Sequence, residues 1–575
     1  MKRRKTLLSP SPAALSCPTY RPPRHGAPVD LRLDGNEGQP VPRTILERLS
    51  RIDGEAIRRY PSAAETEAKI AKMHGIDASR VIVTAGADDA IERAVRAVLC
   101  AGREAVIPFP TFEMLSRYCA RVGCDVVGVP WLDRAFPADE VLSKINEKTA
   151  LVAIVSPNNP TGFVATSDDL IRIAAAAPSA LLLVDLAYGE FADEDLTRVA
   201  LDIPNALVVR TFSKAWGMAG LRVGWAAGPE EVIGWMRSVG QPYAVSSISL
   251  SLASERLAAD DADVRTYTDR VKLERRKLDE FLSSYGVKCF PSQGNFILAE
   301  FANSGWIRDA LAGQGIAVRS FDGDKNLDGK LRITLPGDEA DFSRLLRAFE
   351  NAHAPEAILF DMDDTLADVT DSYRRATVAT AETYGVNISF DDITEAKAGG
   401  DANNDWELTW RLIKGRGVAA DLGEVTRRFE RFYQGDGDVP GFRSTERLML
   451  DRAMLARIAS FCSLGIVTGR PRSDAMRFLS ENGIEDLFGT VVTMDDGPLK
   501  PDPAPVRTAI QKLCAVRAWM IGDTPDDIRS ARAAGALPIG VLAPADDPSI
   551  ARSALIRAGA ARVLGDIAEI MEVLP

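Results

Sequence analysis

Histidine is nearly missing from this chain: three residues, at 25, 74 and 353, in 575. None stands beside a plausible catalytic partner, which argues against chemistry built on histidine bases or histidine-rich metal sites and leaves acid–base work to lysine, aspartate and tyrosine. The seven cysteines are odd in number and form no Cys-x-x-Cys pair. Neither a disulfide framework nor a thiolate zinc site is indicated, and a reducing cytoplasm fits best. No apolar run approaches the roughly 20 residues of a membrane span, so no membrane partner is expected. Positive charge is in deficit, with 69 Lys and Arg against 81 Asp and Glu and a net charge of −12. That excludes the broad electropositive face on which nucleic acid binds. What is present is ordinary globular composition, 46% hydrophobic and 26% charged, in a chain long enough for two or more domains at about 100 to 200 residues each.

Residues 1–30 open on Met1-Lys2-Arg3-Arg4-Lys5, continue Pro-rich and contain no apolar signal core, so they are expected to form a disordered basic tail. From about residue 81, short apolar runs alternate with longer amphipathic stretches: 81–83 then 88–99, 105–107 then 112–121, 151–155 then 167–177, then 181–184 and 207–209. Continuous apolar strands separated by helices predict an α/β fold with a parallel sheet covered on both faces, whose ligands bind at the carboxyl ends of the strands. At 351–356 a short polar connector ends the first domain (31–350), and Ala357-Ile358-Leu359-Phe360 begins a second (357–575). Further strands are expected there at 464–467, 518–521 and 538–541, with a helical insert at about 368–450.

The residues after the strands of the first domain are Thr84 to Asp89, Asn158-Asn159-Pro160-Thr161-Gly162, Asp185-Leu186-Ala187-Tyr188, Thr211-Phe212-Ser213-Lys214 and Gly220-Leu221-Arg222. The small residues 85–87 open a helix whose free N–H groups can hold a phosphate, with Ser213 and Arg222 adding donors. Asp185, ending a buried strand, suits a cation that it keeps protonated. Lys214, desolvated near cationic groups, suits nucleophilic capture of an aldehyde and then proton shuttling.

In this order, and with Leu33-Asp34-Gly35-Asn36-Glu37 and Arg59-Tyr60-Pro61, these segments resemble the fold-type I pyridoxal-phosphate aminotransferases, most closely the histidinol-phosphate aminotransferase branch. The resemblance implies a mostly parallel seven-stranded sheet plus a small α/β domain. It implies Lys214 as the lysine that carries the cofactor, Asp185 on the pyridine nitrogen, Asn159 and Tyr188 on the ring hydroxyl, and Phe112 stacked on the ring. The phosphate would be held by the backbone at Ala87 and Asp88, by Ser213 and Arg222, and by Tyr60 of a neighbouring subunit, making a homodimer. Asn36, Arg319 and Arg332 would face substrate, a guanidinium fork accepting either an amino donor's carboxylate, such as that of glutamate, or the phosphate of a keto acceptor. One departure concerns the substrate loop: Asn36-Glu37 is followed by Gly38-Gln39-Pro40, where the family usually has Asn-Pro or Tyr-Pro.

In the second domain Asp361-Met362-Asp363-Asp364-Thr365, Thr468-Gly469-Arg470, Lys500-Pro501 and Asp523-Thr524-Pro525-Asp526-Asp527 follow strands or precede a helix. Like charges about 4 Å apart at an effective dielectric of 20 repel by about 4 kcal/mol, so acids crowded at one edge call for a cation, and Mg²⁺ with a phosphate monoester is the natural partner. Asp361 is read as the nucleophile on phosphorus and Asp363 as the group that protonates the leaving alcohol and then activates water, with Thr468 and Lys500 on the phosphate. The set resembles the haloacid dehalogenase superfamily, which implies a Rossmann-like domain with a helical cap and Asp361, Asp363, Asp523 and Asp527 around the metal. Asp364 stands where many relatives have Gly.

Together these readings point to a bifunctional enzyme: transamination of a phosphorylated ketone, imidazole-acetol phosphate with glutamate, then hydrolysis of histidinol phosphate to histidinol. A threonine-phosphate decarboxylase-like or specialised-pathway aminotransferase with its own phosphatase, and a catalytically silent regulatory protein, are the other readings.

Overall fold

The computed structural model describes residues 9–11, 14, 15, 17, 19, 24–400, 404–436 and 439–574. The expected tail therefore lies largely outside the described residues, as do 401–403 and 437–438 of the insert. The chain divides into two compact units, one made of Met1–Pro23, Leu33–Ala302 and Arg319–Phe342, the other of Arg24–Arg32, Asn303–Val318 and Ser343–Pro575. No helix among the described residues is long and apolar enough to cross a membrane.

In the first unit seven strands form one sheet, in the order Val81–Thr84, Gly224–Ala227, Ala206–Thr211, Leu181–Asp185, Thr149–Val155, Glu104–Phe109, Asp125–Pro130. Only Gly224–Ala227 runs antiparallel to its two neighbours. The strands Gly224–Ala227 and Asp125–Pro130 were not read from the sequence. Apolar side chains alternate between two cores: Val152, Ile154, Leu182 and Val184 enter one, and Leu151, Ala153, Leu181 and Leu183 the other. Both faces are buried, so the strands read as unbroken apolar runs. Beyond this sheet, Phe296–Glu300 pairs antiparallel with Lys288–Phe290 and with Lys330–Thr334, and Arg319 and Ser320 pair with Arg332 and Leu331.

The second unit is built on six parallel strands, ordered Phe488–Val492, Ser463–Val467, Ala357–Phe360, Ala518–Gly522, Leu537–Val541, Arg562–Leu564. Its first strand lies between the second and the fourth in sequence, which makes the end of Ala357–Phe360 the point where the winding reverses and a ligand crevice opens. Four helices, Tyr373–Glu382, Phe390–Gly399, Asp405–Gly415 and Leu422–Gln434, form the insert. It has a core of its own, from Ala381, Val386, Ile388, Ile393, Leu408, Ile413 and Val425. Ala367–Asp368 pairs with Arg447–Leu448 where the chain enters and leaves it.

Two boundaries differ from expectation. Residues 351–353 are not a connector but the end of the helix Glu339–His353, held because Trp519 donates its indole N–H to the Asn351 carbonyl (2.6 Å) and Trp306 donates to that of Ala352 (3.1 Å). Trp306 also packs against Trp519, with ring centroids 5.0 Å apart. Residues 24–30 are not tail: Ala27 is buried, Arg344 grips the Asp30 carboxylate at 2.7 and 2.8 Å, and Arg532 donates to the Pro28 carbonyl. Burial and ion pairing offset the entropy of ordering this short segment.

Candidate functional site

Two constellations stand at strand ends, one in each unit. In the first, the strand Leu181–Asp185 delivers Asp185 into a dry site. Its Oδ1 accepts from the Ala187 N–H at 3.0 Å, and burial, against that bond, pushes the carboxyl up to about 7. A neighbouring cation would return it to the ionised form. The Lys214 ammonium donates to the Gly35 carbonyl (3.0 Å) and lies 5.7 Å from the centre of the Tyr188 ring. Asn36, buried with φ +54°, donates to the Tyr188 hydroxyl (3.0 Å) and accepts from Thr334 (2.8 Å).

Arg332 donates to the Asn159 side-chain oxygen and to the Asp34 carbonyl (2.7 Å). Arg319 stands directly opposite Arg332 in the antiparallel register, and such cross-strand partners share a face. Its guanidinium is 3.5 Å from Glu113.

A phosphate-sized cradle is built from backbone. The helix Ala87–Val98 starts at Gly86, φ +84°, with no side chain capping its first N–H groups. A Cβ on Gly86 would stand 2.7 Å from the Arg222 guanidinium, and one on Gly224 within 2.6 Å of the Gly86 and Ala87 backbone. Only glycine permits both approaches. Arg222 reaches Ser213 Oγ (3.5 Å) and pairs with Asp88 (3.1 Å), and Thr211 donates to Ser213 Oγ at 3.0 Å. Free N–H groups at a helix start, a hydroxyl and a guanidinium, with a lysine and a buried acid beyond them, fit a phosphorylated pyridine cofactor.

Phe112, half-buried, packs on the second core. Tyr60 is not brought to this cradle within one chain; it is 80% exposed and stacks on Tyr243 at 4.5 Å. The Gly38 departure has a packing reason that the sequence did not disclose: a Cβ there would collide with the Lys214 carbonyl, and one on Gly217 with that of Gln39. The substrate loop thus lies directly on the backbone of the lysine segment.

In the second unit Asp361, Asp523 and Asp527 are buried, with one oxygen from each within 4.8 Å of the others. Lys500 reaches Asp361 Oδ1 at 2.7 Å and also contacts Asp527 and the Val467 carbonyl. Burial, with Asp527 and Asp363 nearby, pushes Asp361 up to about 7 despite Lys500. Burial also drives Asp523 well above the carboxylate range, and its Oδ2 has no hydrogen-bond partner among the described residues. A buried carboxylate oxygen without a hydrogen bond, its nearest cation the Lys397 ammonium at 4.0 Å, and facing two more acids, fits a hard divalent cation such as Mg²⁺.

Asp363 does not join them. Its carboxylate turns to Arg470, with Nε at 2.6 Å, a guanidinium that also holds Glu446 at 2.9 Å, so the expected ligand set loses that side chain. Thr468 accepts from the Arg470 N–H at 3.1 Å. Asp364 adopts φ +53°, the left-handed region that favours Gly. The non-Gly residue is held there by Lys397 of the insert at 2.9 Å and by Arg374 at 3.7 Å. Burial raises Asp364, but these two cations outweigh it and hold the carboxyl below its ordinary range. Lys397 and Arg374 were not found from sequence, because a helical insert shows no spacing signal that ties either residue to Asp364.

Residues 30–349 match the family model for aminotransferase class I and II, and residues 358–541 that for haloacid dehalogenase-like hydrolase. A histidinol-phosphate aminotransferase of Ruegeria pomeroyi is 33% identical over 335 residues, covering 56% of this chain and 92% of the relative. An imidazoleglycerol-phosphate dehydratase of Phytophthora nicotianae is 43% identical over 197 residues, 33% of this chain and 44% of that protein, matching the C-terminal part. This chain therefore spans less than half the length of that relative. The solved structure of the Sinorhizobium meliloti histidinol-phosphate aminotransferase with pyridoxal-5'-phosphate shares the fold, with a TM-score of 0.55 at 23% identity over 61% of this chain and 98% of that one.

Proposed function

The chain belongs to the aminotransferase class I and II family through residues 30–349 and carries a haloacid dehalogenase-like hydrolase over 358–541, and from that premise we propose that it is a bifunctional enzyme acting twice on one phosphorylated compound. The first unit transfers an amino group from glutamate to imidazole-acetol phosphate, forming histidinol phosphate. The second hydrolyses that monoester to histidinol and phosphate. The observation that carries the reading is one polypeptide in which two separately matched parts have relatives named for imidazole-bearing phosphates, each part with buried acids at its strand ends.

Pyridoxal phosphate held by Ala87, Asp88, Ser213 and Arg222 would supply the electron sink for amino transfer. Lys214 would take the proton from the donor's α-carbon in the first half of the reaction and deliver one to the acceptor's former carbonyl carbon in the second. Asp185 would keep the ring nitrogen protonated, Tyr188 and Asn159 would orient the ring hydroxyl, and Phe112 its face. Arg332 and Arg319 would bind the donor carboxylate and the acceptor phosphate in turn, and Tyr60 would reach the cofactor phosphate of a neighbouring copy in a homodimer. A cytoplasmic setting suits the unpaired cysteines.

In the second unit Asp361, Asp523 and Asp527 would hold Mg²⁺, which supplies charge neutralisation for an incoming phosphate. Asp361 attacks phosphorus and the alcohol oxygen departs with a proton from Asp363, which requires that carboxyl to turn out of its pair with Arg470. Water, giving its proton back to Asp363, then attacks phosphorus and frees Asp361. Lys500 and Thr468 hold the phosphate oxygens.

The test is to supply the full chain, loaded with pyridoxal phosphate and Mg²⁺, with glutamate and imidazole-acetol phosphate. Equimolar 2-oxoglutarate, histidinol and phosphate are expected. Amine formation on a different phosphorylated ketone, with none on this one, would replace the substrate.

A further inference from the structure

A small cavity of about 20 Å³ lies in the second unit against Asp363, Tyr373, Asp405, Trp406 and Arg470. That is room for a group the size of a water molecule or an ammonium. Asp363 is the candidate acid for the leaving oxygen, so what fills this space belongs to the alcohol side of the ester, not to the phosphate.

The two acids of the cavity wall differ in their partners. Asp363 is matched by Arg470, whereas the Asp405 carboxylate makes no hydrogen bond or ion pair among the described residues. Lys397 attracts it from a distance, but that ammonium is held by Asp364 at 2.9 Å and lies 4.0 Å from Asp523. Asp405 is set in place by its position in the first turn of the helix Asp405–Gly415, whose start is capped by the Asn404 side chain accepting from Trp406 and Glu407. Trp406 is pinned in turn, its indole N–H donating to Glu430 at 2.9 Å. A fixed carboxylate without a cation, next to a fixed aromatic face, is a receptor for a cationic group.

We infer that Asp405, with Trp406, recognises the ammonium of a phosphorylated amino alcohol, and that the phosphatase centre thereby accepts the aminated product and rejects its ketone precursor. The inference rests on the function proposed above, and the geometry of that product agrees with it. Amination of a ketone next to a phosphorylated CH₂ places the nitrogen on the carbon beside the ester carbon, close to the leaving oxygen that Asp363 would serve. A ketone there offers the half-buried Asp405 no proton and leaves its charge unmatched, and sites built for a hydrogen-bonding group reject analogues that lack it strongly.

The experiment compares phosphate release by the Mg²⁺-loaded full chain from histidinol phosphate, from its desamino analogue 3-(imidazol-4-yl)propyl phosphate and from p-nitrophenyl phosphate. The wild type is expected to prefer histidinol phosphate over the desamino analogue by at least about a hundredfold in kcat/KM. Asp405→Asn should cut that preference at least about tenfold, mainly through KM for histidinol phosphate, and Asp405→Glu, which keeps the charge, should restore part of it. Thermal melts of both variants show whether they fold, and Asp405→Glu carries the test if Asp405→Asn does not. An unaltered preference in Asp405→Asn, or an equal loss on both imidazole substrates, overturns the assignment while leaving the phosphatase reading intact. Hydrolysis of p-nitrophenyl phosphate with none of histidinol phosphate by the wild type overturns both.

Discussion

Asp185 and Asp361 occupy matching places in different units, each just inside or just past the end of a buried parallel strand, and burial pushes each carboxyl up to about 7. Their neighbours differ. Asp185 has one backbone N–H and, beyond it, Lys214 engaged with a carbonyl; Asp361 has Lys500 at 2.7 Å and two further acids within 4.8 Å. The same desolvation therefore prepares two different guests. A buried acid beside a cradle of hydroxyls, N–H groups and a guanidinium suits an organic cation carrying a phosphate, whereas a cluster in which carboxylates outnumber their lysine suits a small hard cation.

The largest effects should separate the two centres. Asp361→Asn is expected to lower phosphate release from supplied histidinol phosphate by more than about a thousandfold while 2-oxoglutarate formation from glutamate continues, and Lys214→Ala to abolish 2-oxoglutarate formation, with loss of the cofactor's bound absorbance, while hydrolysis of supplied histidinol phosphate continues. Parallel loss of both activities in either variant would break the comparison. Next, Lys500→Met leaves Asp361 and Asp527 without their cation, and removing one partner of a buried pair costs about 3 to 5 kcal/mol. Thermal melts should show that loss, with a larger recovery on adding Mg²⁺ than the wild type gives; equal Mg²⁺ responses would mean that the acids do not bind it.

The pH dependence of the cofactor-free protein sharpens the other side. The Asp185 carboxyl moves from its ordinary 3.8 to about 7 on folding, so between these values the folded chain holds a proton that the unfolded chain has released. Its contribution is least unfavourable below about 3.8 and worsens as pH rises to about 7, by up to about 4 kcal/mol. Asp185→Asn should flatten that part of the wild-type melting profile; identical slopes would show that Asp185 is not a buried acid. The smallest effect concerns Tyr60. Within one chain its stack on Tyr243 is worth about 0.5 to 1.5 kcal/mol, so Tyr60→Phe should barely shift the melt. If Tyr60 serves a neighbouring copy, equilibrium titration will show weaker binding of pyridoxal phosphate to that variant, and unchanged affinity would remove it from the phosphate site.

The parts legible in the sequence were those carried by local pattern. Apolar runs ending in Asp185, Thr211 and Phe360 announced buried strands, and the parallel-sheet rule turned the residues after them into site candidates. Edge and antiparallel strands such as Asp125–Pro130 and Gly224–Ala227 carried too little apolar run to stand out. What stayed hidden depends on tertiary contact: Asn36 against Tyr188, Arg332 on Asn159, and Asp363 held by Arg470 rather than with Asp361, Asp523 and Asp527. The Asp364 puzzle resolves only when its positive φ and Lys397 are seen together, one accounting for the family's usual Gly and the other for how this chain manages without it. Gly38, read as a departure in the substrate loop, is a close-approach residue against Lys214.

The most direct test of two centres acting in sequence is whether phosphate release depends on glutamate. With pyridoxal phosphate and Mg²⁺ present, imidazole-acetol phosphate alone should keep its phosphate, and adding glutamate should start release in step with 2-oxoglutarate. Phosphate freed at the same rate without glutamate, or an aminated ester that accumulates and is never hydrolysed, would contradict the account.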